Sequence, residues 1–240
     1  VIKMADLGMN DRIKKLRKLS VETQPRIYME RAVLETEAYE MYEGKVSIPE
    51  LRALTLKHIF SNKTLYIGDG ELIVGEKGDY PQAAPSFPEL CCHTLEDMHN
   101  MNDRKVVNFS VTEEDLKIQE EKIIPYWQER TMRKKILDSM TDEWKEAYAA
   151  GIFTEFMEQR GPGHTVGSVK IYEKGYLDYK QDIQEALDNL DYMNDPKAID
   201  KRNQLNAMSI CCDAIIILGE RYAKLAREMA EQCTDEQRKK

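Results

Sequence analysis

The chain has 240 residues, of which 32% are charged and 42% hydrophobic, and its formal net charge is −8 at pH 7. That length allows one large domain or two modest ones, with the composition of an ordinary globular protein. The acidic charge argues against nucleic acid or an anionic membrane as the main partner.

The N-terminus and the apolar stretches bear on localisation. Residues 1–7 lack the apolar core of a secretory signal. No stretch approaches the roughly 20 apolar residues that a membrane-spanning helix needs. We therefore expect a cytoplasmic protein with no nucleic-acid or membrane partner.

The five cysteines include two adjacent pairs, at 91–92 and 211–212. Disulfide geometry is hard to satisfy between neighbouring residues, so the pattern favours free thiols in a reducing compartment. The first pair lies near His93 and His99, which raises the possibility of a metal site. The spacing matches no zinc pattern, however, and we interpret these residues as structural and expect no metal.

The first third of the chain has the periodicity of amphipathic helices. Gly44 stands where glycine ends a helix, and Pro49 stands where proline favours a first turn. The predicted helices cover residues 10–19, 29–42 and 50–60.

Residues 64–78 contain short apolar runs separated by glycines, a pattern typical of strands joined by tight turns. One stretch, GELIVGEKGD at residues 70–79, invites comparison with a phosphate-binding loop. It lacks a lysine directly after the second glycine and a following Ser or Thr, so we reject that interpretation. Residues 81–88 contain three prolines and are predicted to form a loop.

Capping signals locate the next helices. Thr94 and Thr112 are each followed three residues later by aspartate, which is the spacing of a capping box. A long helix over residues 113–140 should be kinked by Pro125. One further predicted helix starts at Thr141 and ends near Gly151. The remaining predicted helices cover residues 153–160, 178–192 and 197–233.

The stretch most typical of a binding site is GPGHTVG, at residues 161–167. Glycines let the backbone approach a ligand closely, and His164 can exchange hydrogen bonds near neutral pH. Phe156, on the preceding short helix, could wall a pocket. Taken alone, the stretch is also typical of a loop that ends a helix and carries a solvated histidine. No nucleophile motif accompanies it. From the residues alone, we predict a mainly helical domain with one candidate pocket loop.

Several stretches taken together resemble one family. They are MERAVLETEAY at residues 29–39, GELIVGEKGD at 70–79 with Pro88-Glu89 after it, IIPYW at 123–127, and FTEFMEQR at 153–160 followed by GHT. All resemble the N-terminal part of the glycyl radical enzymes, which are pyruvate formate-lyase-like proteins. The similarity is collinear from about residue 11 to residue 240 and is strongest with the hydroxyproline dehydratase branch.

The resemblance implies a fold of mainly α-helices with a few short strands, forming the N-terminal part of a ten-stranded α/β barrel. Residues 1–240 would then be the N-terminal portion of the enzyme domain, without the radical-glycine domain. The complete enzyme is expected to be a homodimer in an anaerobe. A radical-SAM activase installs a radical on a backbone glycine, which passes to a cysteine. The resulting thiyl abstracts a hydrogen from a small-molecule substrate.

The implied reaction in this branch is loss of the 4-hydroxyl of trans-4-hydroxy-L-proline as water, leaving a pyrroline carboxylate. Two substrate-binding positions are carried over from the resemblance. Phe156 matches an aromatic wall of the pocket, and His164 matches a polar position that faces the substrate hydroxyl.

The chain also departs from the family. The thiyl cysteine of the family lies in a Gly-Cys-x-Glu type loop and its radical glycine in an Arg-Val-x-Gly-Tyr type loop, and neither occurs here. We therefore assign no catalytic residue and expect this polypeptide alone to be inactive.

Alternatives remain open at this point. They are another glycyl radical lyase (glycerol or propanediol dehydratase, choline or isethionate lyase) or a truncated, non-catalytic relative that acts as an interaction protein. A portion of a barrel should leave large apolar patches exposed, whereas a stand-alone domain should not.

Overall fold

The computed structural model describes residues 10–152 and 168–239. Its helices are α1 (Asp11–Glu22), α2 (Glu30–Tyr42), α3 (Ile48–Asn62), α4 (Leu95–Asp103), α5 (Glu113–Ile118), α6 (Ile124–Trp127), α7 (Met132–Ser139), α8 (Asp142–Ala149), α9 (Tyr176–Asp188), α10 (Ala198–Gln232) and α11 (Glu236–Lys239). Two short strands, β1 (Arg26–Tyr28) and β2 (Ala83–Pro85), lie among them. The predicted fold class, mainly helical with a few short strands, is confirmed.

The predicted capping signals are confirmed. The Thr94 hydroxyl accepts a hydrogen bond from the Asp97 N–H, and the Asp97 carboxylate accepts one from the Thr94 N–H. Thr112 and Asp115 form the same pair at the start of α5. Thr141 caps α8, and Gly151 follows that helix with a positive φ of 71°. These side chains satisfy N–H groups that the first turn of a helix leaves without a partner.

The predicted long helix over residues 113–140 is wrong in its continuity. A π-helical turn, Gln119–Ile123, separates α5 from α6, and its closing bond runs from the Ile124 N–H to the Gln119 carbonyl. Pro125, in the first turn of α6, has no N–H to continue the α-helical ladder, and the π turn lies directly before it. The chain then turns, and Thr131 caps a separate α7.

The predicted strands over residues 64–78 are also wrong, because this segment has no regular secondary structure. Instead β1 and β2 form a parallel pair in which Arg26 lies opposite Ala83 and Tyr28 opposite Pro85. The predicted loop over residues 81–88 therefore contains a strand. Proline is compatible with that position because a two-stranded sheet has only edge strands.

A closed apolar cluster forms where α2 meets α4, the π turn and α6. Its buried members are Met29, Ala32, Met98, Ile123 and Trp127. The Trp127 indole N–H donates to the Thr36 hydroxyl at 2.8 Å, and that hydroxyl donates to the Ala32 carbonyl at 2.7 Å. The only polar atom of the buried indole is therefore satisfied.

The longest helix, α10, has 35 residues and packs along α3 and α9. It would extend for about 50 Å at 1.5 Å per residue. Asp213, on α10, joins these elements because it accepts hydrogen bonds from Lys57 of α3, at 3.3 Å, and from Lys180 of α9. The predicted helix at 197–233 is confirmed, whereas α9 ends at Asp188 rather than at residue 192.

None of the helices in the two described ranges combines the length and apolar character that crossing a membrane requires.

Candidate functional site

Both predicted substrate-binding residues, Phe156 and His164, lie outside the described residues, as does the predicted helix over residues 153–160. The nearest described elements are α8 on one side and a 3₁₀ turn, Ser168–Tyr172, on the other. The roles of Phe156 and His164 therefore remain predictions. The 3₁₀ turn leads into α9 and contributes Lys170 and Ile171 to the wall of a large cleft.

The cleft lies between α2, α3, α9 and α10 and encloses about 1400 Å³. Parts of the segment 75–89 and of the segment 170–175 complete its walls. Much of its surface comes from large apolar side chains of α3 and α10, namely Leu56, Ile59, Phe60, Leu205, Met208 and Leu218. Clefts that bind small molecules usually measure about 300–1,000 Å³. This cleft is larger than a proline-sized ligand needs.

One wall of the cleft carries three charged side chains in direct contact. Arg31 makes two hydrogen bonds to the Glu89 carboxylate, at 2.7 and 3.1 Å, and one to Glu35 at 3.2 Å. The Arg31 guanidinium also lies 3.9 Å from the centre of the Phe87 ring, a cation–π contact. The planar guanidinium of Arg31 makes these hydrogen bonds and the ring contact at the same time, an arrangement that the ammonium of a lysine could not reproduce.

Glu35 is the buried member of this group. Burial, together with the nearby Glu89 carboxylate, raises the pKa of Glu35 to about 7, against the lowering effect of Arg31. Glu35 is therefore partly protonated near neutral pH and can donate as well as accept a hydrogen bond. Sequence reasoning missed this group, although Arg31 and Glu35 stand four apart on a helix and Glu89 belongs to one of the motifs quoted above.

A second polar group lies at the end of the cleft nearest β1. The Tyr28 hydroxyl donates to Glu30 at 2.6 Å, and Glu30 also accepts from the Thr64 N–H at 2.9 Å. Burial and the adjacent Glu30 carboxylate raise the pKa of Tyr28. Tyr28 is therefore a fixed hydroxyl donor at ordinary pH.

The cysteines of the cleft do not have the surroundings of a catalytic thiol. Cys211 and Cys212 lie within α10, and burial raises the pKa of both thiols. Cys92 lies away from the cleft, against the cluster around Trp127, where it accepts a hydrogen bond from the Gln119 side-chain amide, and burial raises the pKa of Cys92 to about 11. A high thiol pKa disfavours the thiolate that nucleophilic chemistry needs. Across residues 10–152 and 168–239, no group of three His, Cys, Asp or Glu side chains is placed to hold a metal.

The chain belongs to the pyruvate formate lyase-like family, whose model matches residues 9–240. It is 58% identical to trans-4-hydroxy-L-proline dehydratase of Clostridioides difficile, over 97% of this chain and 30% of the relative. The crystal structure of that dehydratase with trans-4-hydroxy-L-proline bound superposes with a TM-score of 0.91 and covers 97% of this chain and 29% of the solved one.

More distant members are also similar. An isethionate sulfite-lyase of Nitratidesulfovibrio vulgaris is 34% identical over 91% of this chain and 27% of its own length. The glycerol-bound B12-independent glycerol dehydratase of Clostridium butyricum is 31% identical, with a TM-score of 0.86, and the match covers 96% of this chain and 29% of that one. The chain therefore spans less than a third of the length of these relatives.

Proposed function

We propose that this chain is the N-terminal portion of a glycyl radical lyase that dehydrates trans-4-hydroxy-L-proline to a pyrroline carboxylate. The observation that carries the proposal is the high identity to a dehydratase that has been solved with this substrate. Identity to the isethionate and glycerol enzymes is much lower, which favours hydroxyproline over their substrates.

Within the complete enzyme, residues 1–240 would contribute the first part of a ten-stranded α/β barrel. The enzyme would act as a homodimer in the cytoplasm and would be activated by a radical-SAM partner. The residues present do not fit the radical group itself. Cys211 and Cys212 lie inside a continuous helix, and neither family loop occurs in the sequence. The radical glycine and the thiyl cysteine must therefore come from other sequence.

The proposed contribution of this chain to the chemistry is substrate binding. Phe156 would pack against the small ring of the substrate, and His164 would hydrogen-bond the 4-hydroxyl. A hydrogen bond to the departing oxygen strengthens as that oxygen leaves, which lowers the barrier to dehydration.

A chimera tests the proposal, in which this chain replaces the matching portion of the Clostridioides difficile dehydratase. After activation, it should convert trans-4-hydroxy-L-proline and leave glycerol and isethionate unreacted. His164→Ala should lower kcat by roughly 100-fold or more, as removal of one transition-state hydrogen bond does. Phe156→Ala should also sharply reduce turnover, because the substrate would lose the wall that positions it.

His99→Ala, which changes an exposed histidine on α4, is the matched control and should leave turnover unchanged. A folded chimera that prefers glycerol or isethionate would contradict the proposed substrate. Unchanged turnover in both pocket variants would contradict the proposed roles of Phe156 and His164.

A further inference from the structure

The face of α2 that lines the large cleft carries three polar side chains at four-residue spacing. They are Arg31, Glu35 and Tyr39. A spacing of four places side chains one above the other on a helix, so these three form one polar stripe along the cleft wall. Glu35 is the most deeply buried of the three, with 4% of its surface exposed.

Arg52, on the adjacent helix α3, also lines the cleft and interacts electrostatically with both Glu35 and Tyr39. Its side chain is exposed, and its guanidinium makes no hydrogen bond, ion pair or ring contact among the described residues. The guanidinium of Arg31, by contrast, is already occupied by its carboxylate and ring contacts. Arg52 therefore keeps the N–H donors of its planar fork free.

The Tyr39 hydroxyl is a second donor that lacks a partner among the described residues. The Tyr39 ring packs edge-on against Trp127, with the ring centroids 4.8 Å apart, and this contact fixes the direction of the hydroxyl. Burial raises the pKa of Tyr39, so the hydroxyl keeps its proton at ordinary pH. A donor that is already fixed loses little freedom when it binds a ligand.

The charges around Glu35 decide the sign of a ligand. The charged side chains that face it are Arg31 on its own helix, Arg52 on α3 and Glu89 after β2. With both carboxylates ionised, these four groups have no net charge, and with Glu35 protonated they carry one positive charge. A protonated Glu35 can also donate a hydrogen bond. The group therefore suits a monoanion, whereas a dianion such as phosphate would leave excess negative charge beside Glu89.

The surface beside Arg52 indicates the rest of the ligand. Ile48, Pro49 and Leu56 stand three or four residues from Arg52 on the same helix and also line the cleft. The planar fork of an arginine matches the two oxygens of a carboxylate. The apolar neighbours favour an alkyl group attached to that carboxylate.

We propose that Arg52, Tyr39 and Glu35 form a binding site for a small organic monocarboxylate on this wall of the cleft. Arg52 pairs with the carboxylate, and Tyr39 and protonated Glu35 donate hydrogen bonds to its oxygens. Arg31 holds Glu35 in place through their 3.2 Å contact. The site goes beyond the proposed function, which assigns these residues no role.

The protonation of Glu35 makes this binding depend on pH. An anion beside Glu35 favours its protonated form, and by linkage the protonated form favours the anion. Because the pKa of Glu35 is about 7, affinity should rise as the pH falls through this value.

Titration with butyrate provides the test, and butyramide, which has the same shape without the charge, is the control ligand. Binding of each to the 240-residue chain and to the chimera described above is measured by calorimetry in a buffer without carboxylates. We expect saturable binding of butyrate to both proteins, roughly fivefold tighter at pH 6 than at pH 8, because Glu35 is mostly neutral at the first pH and mostly ionised at the second. Butyramide should not bind.

Variants of the 240-residue chain assign the binding to this site. Arg52→Gln should weaken butyrate binding by at least about 10-fold, as loss of a charge-assisted pair does. Arg17→Gln, at an exposed arginine of α1 that also lacks a partner among the described residues, is the matched control and should leave binding unchanged. Glu35→Gln should retain binding and remove its pH dependence, since glutamine is a neutral donor at both pH values. Circular dichroism confirms that each variant is folded.

Several outcomes would overturn the proposal. They are absent butyrate binding at pH 6, equal binding of butyramide, unchanged affinity in Arg52→Gln, and a pH dependence that persists in Glu35→Gln. Binding to the chain alone but not to a folded chimera also overturns it, because the site would then be closed in the enzyme. A chimera that binds butyrate but does not dehydrate hydroxyproline would leave the carboxylate site standing and remove the proposed function.

Discussion

The cluster around Trp127 and the cleft beside α10 are both apolar, but only the first is closed. Around Trp127, the side chains of Met29, Ala32, Met98 and Ile123 leave almost no exposed surface. The cleft has comparable side chains on its walls and yet remains open over about 1400 Å³. Apolar residues therefore do not by themselves define a core, because a core also requires surfaces that face each other.

The two regions also differ in how completely their buried polar groups are hydrogen-bonded. The Trp127 N–H and the Thr36 hydroxyl are both hydrogen-bonded inside the closed cluster. Along the cleft, the buried Tyr179 hydroxyl has no partner among the described residues, and Glu35 is buried with a raised pKa. Buried polar groups without full partners are uncommon in folded proteins, and among the described residues they lie on the cleft side.

Removal of the Trp127 side chain should give the largest loss of stability. Trp127→Ala should lower the free energy of unfolding by about 3–5 kcal/mol, because it opens a cavity and leaves the Thr36 hydroxyl short of a partner. Urea denaturation followed by circular dichroism measures the loss. Trp144→Ala, at a tryptophan that is 51% exposed, is the matched control and should cost much less. Equal losses would mean that the cluster around Trp127 is not the dominant core.

Glu35, on the cleft side, should make the stability of the chain depend on pH. Its pKa rises from 4.5 to about 7 on folding, so the folded chain binds more protons than the unfolded chain between these values. The free energy of unfolding should therefore fall as the pH rises through this range. Glu35→Gln should remove this slope and raise stability at pH 8 by up to about 3 kcal/mol, with little change at pH 4.5.

Unfolding curves of the wild type and the variant at several pH values measure this difference. Glu40→Gln, at an exposed glutamate of the same helix, is the control and should change neither stability nor its pH dependence. A Glu35→Gln variant that is less stable at pH 8 would show that the ion pair with Arg31 outweighs the cost of burial.

Helix capping should have an intermediate effect on the closed side. Thr112→Ala removes the side chain that caps α5, and α5 packs Leu116 and Ile118 against the closed cluster. The expected loss is about 1 kcal/mol, measured by thermal or urea unfolding. Ser139→Ala, at the exposed C-terminal end of α7, should cost less. A Thr112→Ala loss no larger than that of Ser139→Ala would contradict the importance of this cap.

Two tyrosines should show the smallest and most diagnostic difference. Tyr28→Phe removes a hydroxyl that donates to Glu30 and should cost about 1 kcal/mol. Tyr179→Phe removes a buried hydroxyl that lacks a partner among the described residues and should leave stability unchanged or slightly higher. Denaturation of both variants side by side checks this. A loss of stability in Tyr179→Phe equal to that in Tyr28→Phe would mean that the Tyr179 hydroxyl already has a hydrogen-bond partner in the cleft.

The sequence predicted those features whose causes are local. Thr94, Thr112 and Thr141 mark helix starts because a threonine side chain satisfies N–H groups within three residues of itself. The predicted helix over residues 197–233 likewise matches α10 to within one residue at each end. The family resemblance rested on the residues alone and was confirmed over residues 9–240.

The candidate site could not be predicted from local sequence patterns in this way. Phe156 and His164 came from the resemblance and lie outside the described residues. The group formed by Arg31, Glu35 and Glu89 was missed because Glu89 is distant in sequence, and only folding brings its carboxylate to Arg31.

By itself the sequence determined most of the helices, several of their caps and the family, because these depend on neighbours in the chain and on a collinear pattern of residues. Only the tertiary structure decided that Arg26–Tyr28 pairs with Ala83–Pro85, since three-residue strands carry too little local signal to specify a partner. It also decided that the strand-like residues 72–74 remain unpaired. Distant side chains from Arg12, Lys63 and Arg238 hold their flanks in place, and this long-range constraint outweighs local β preference.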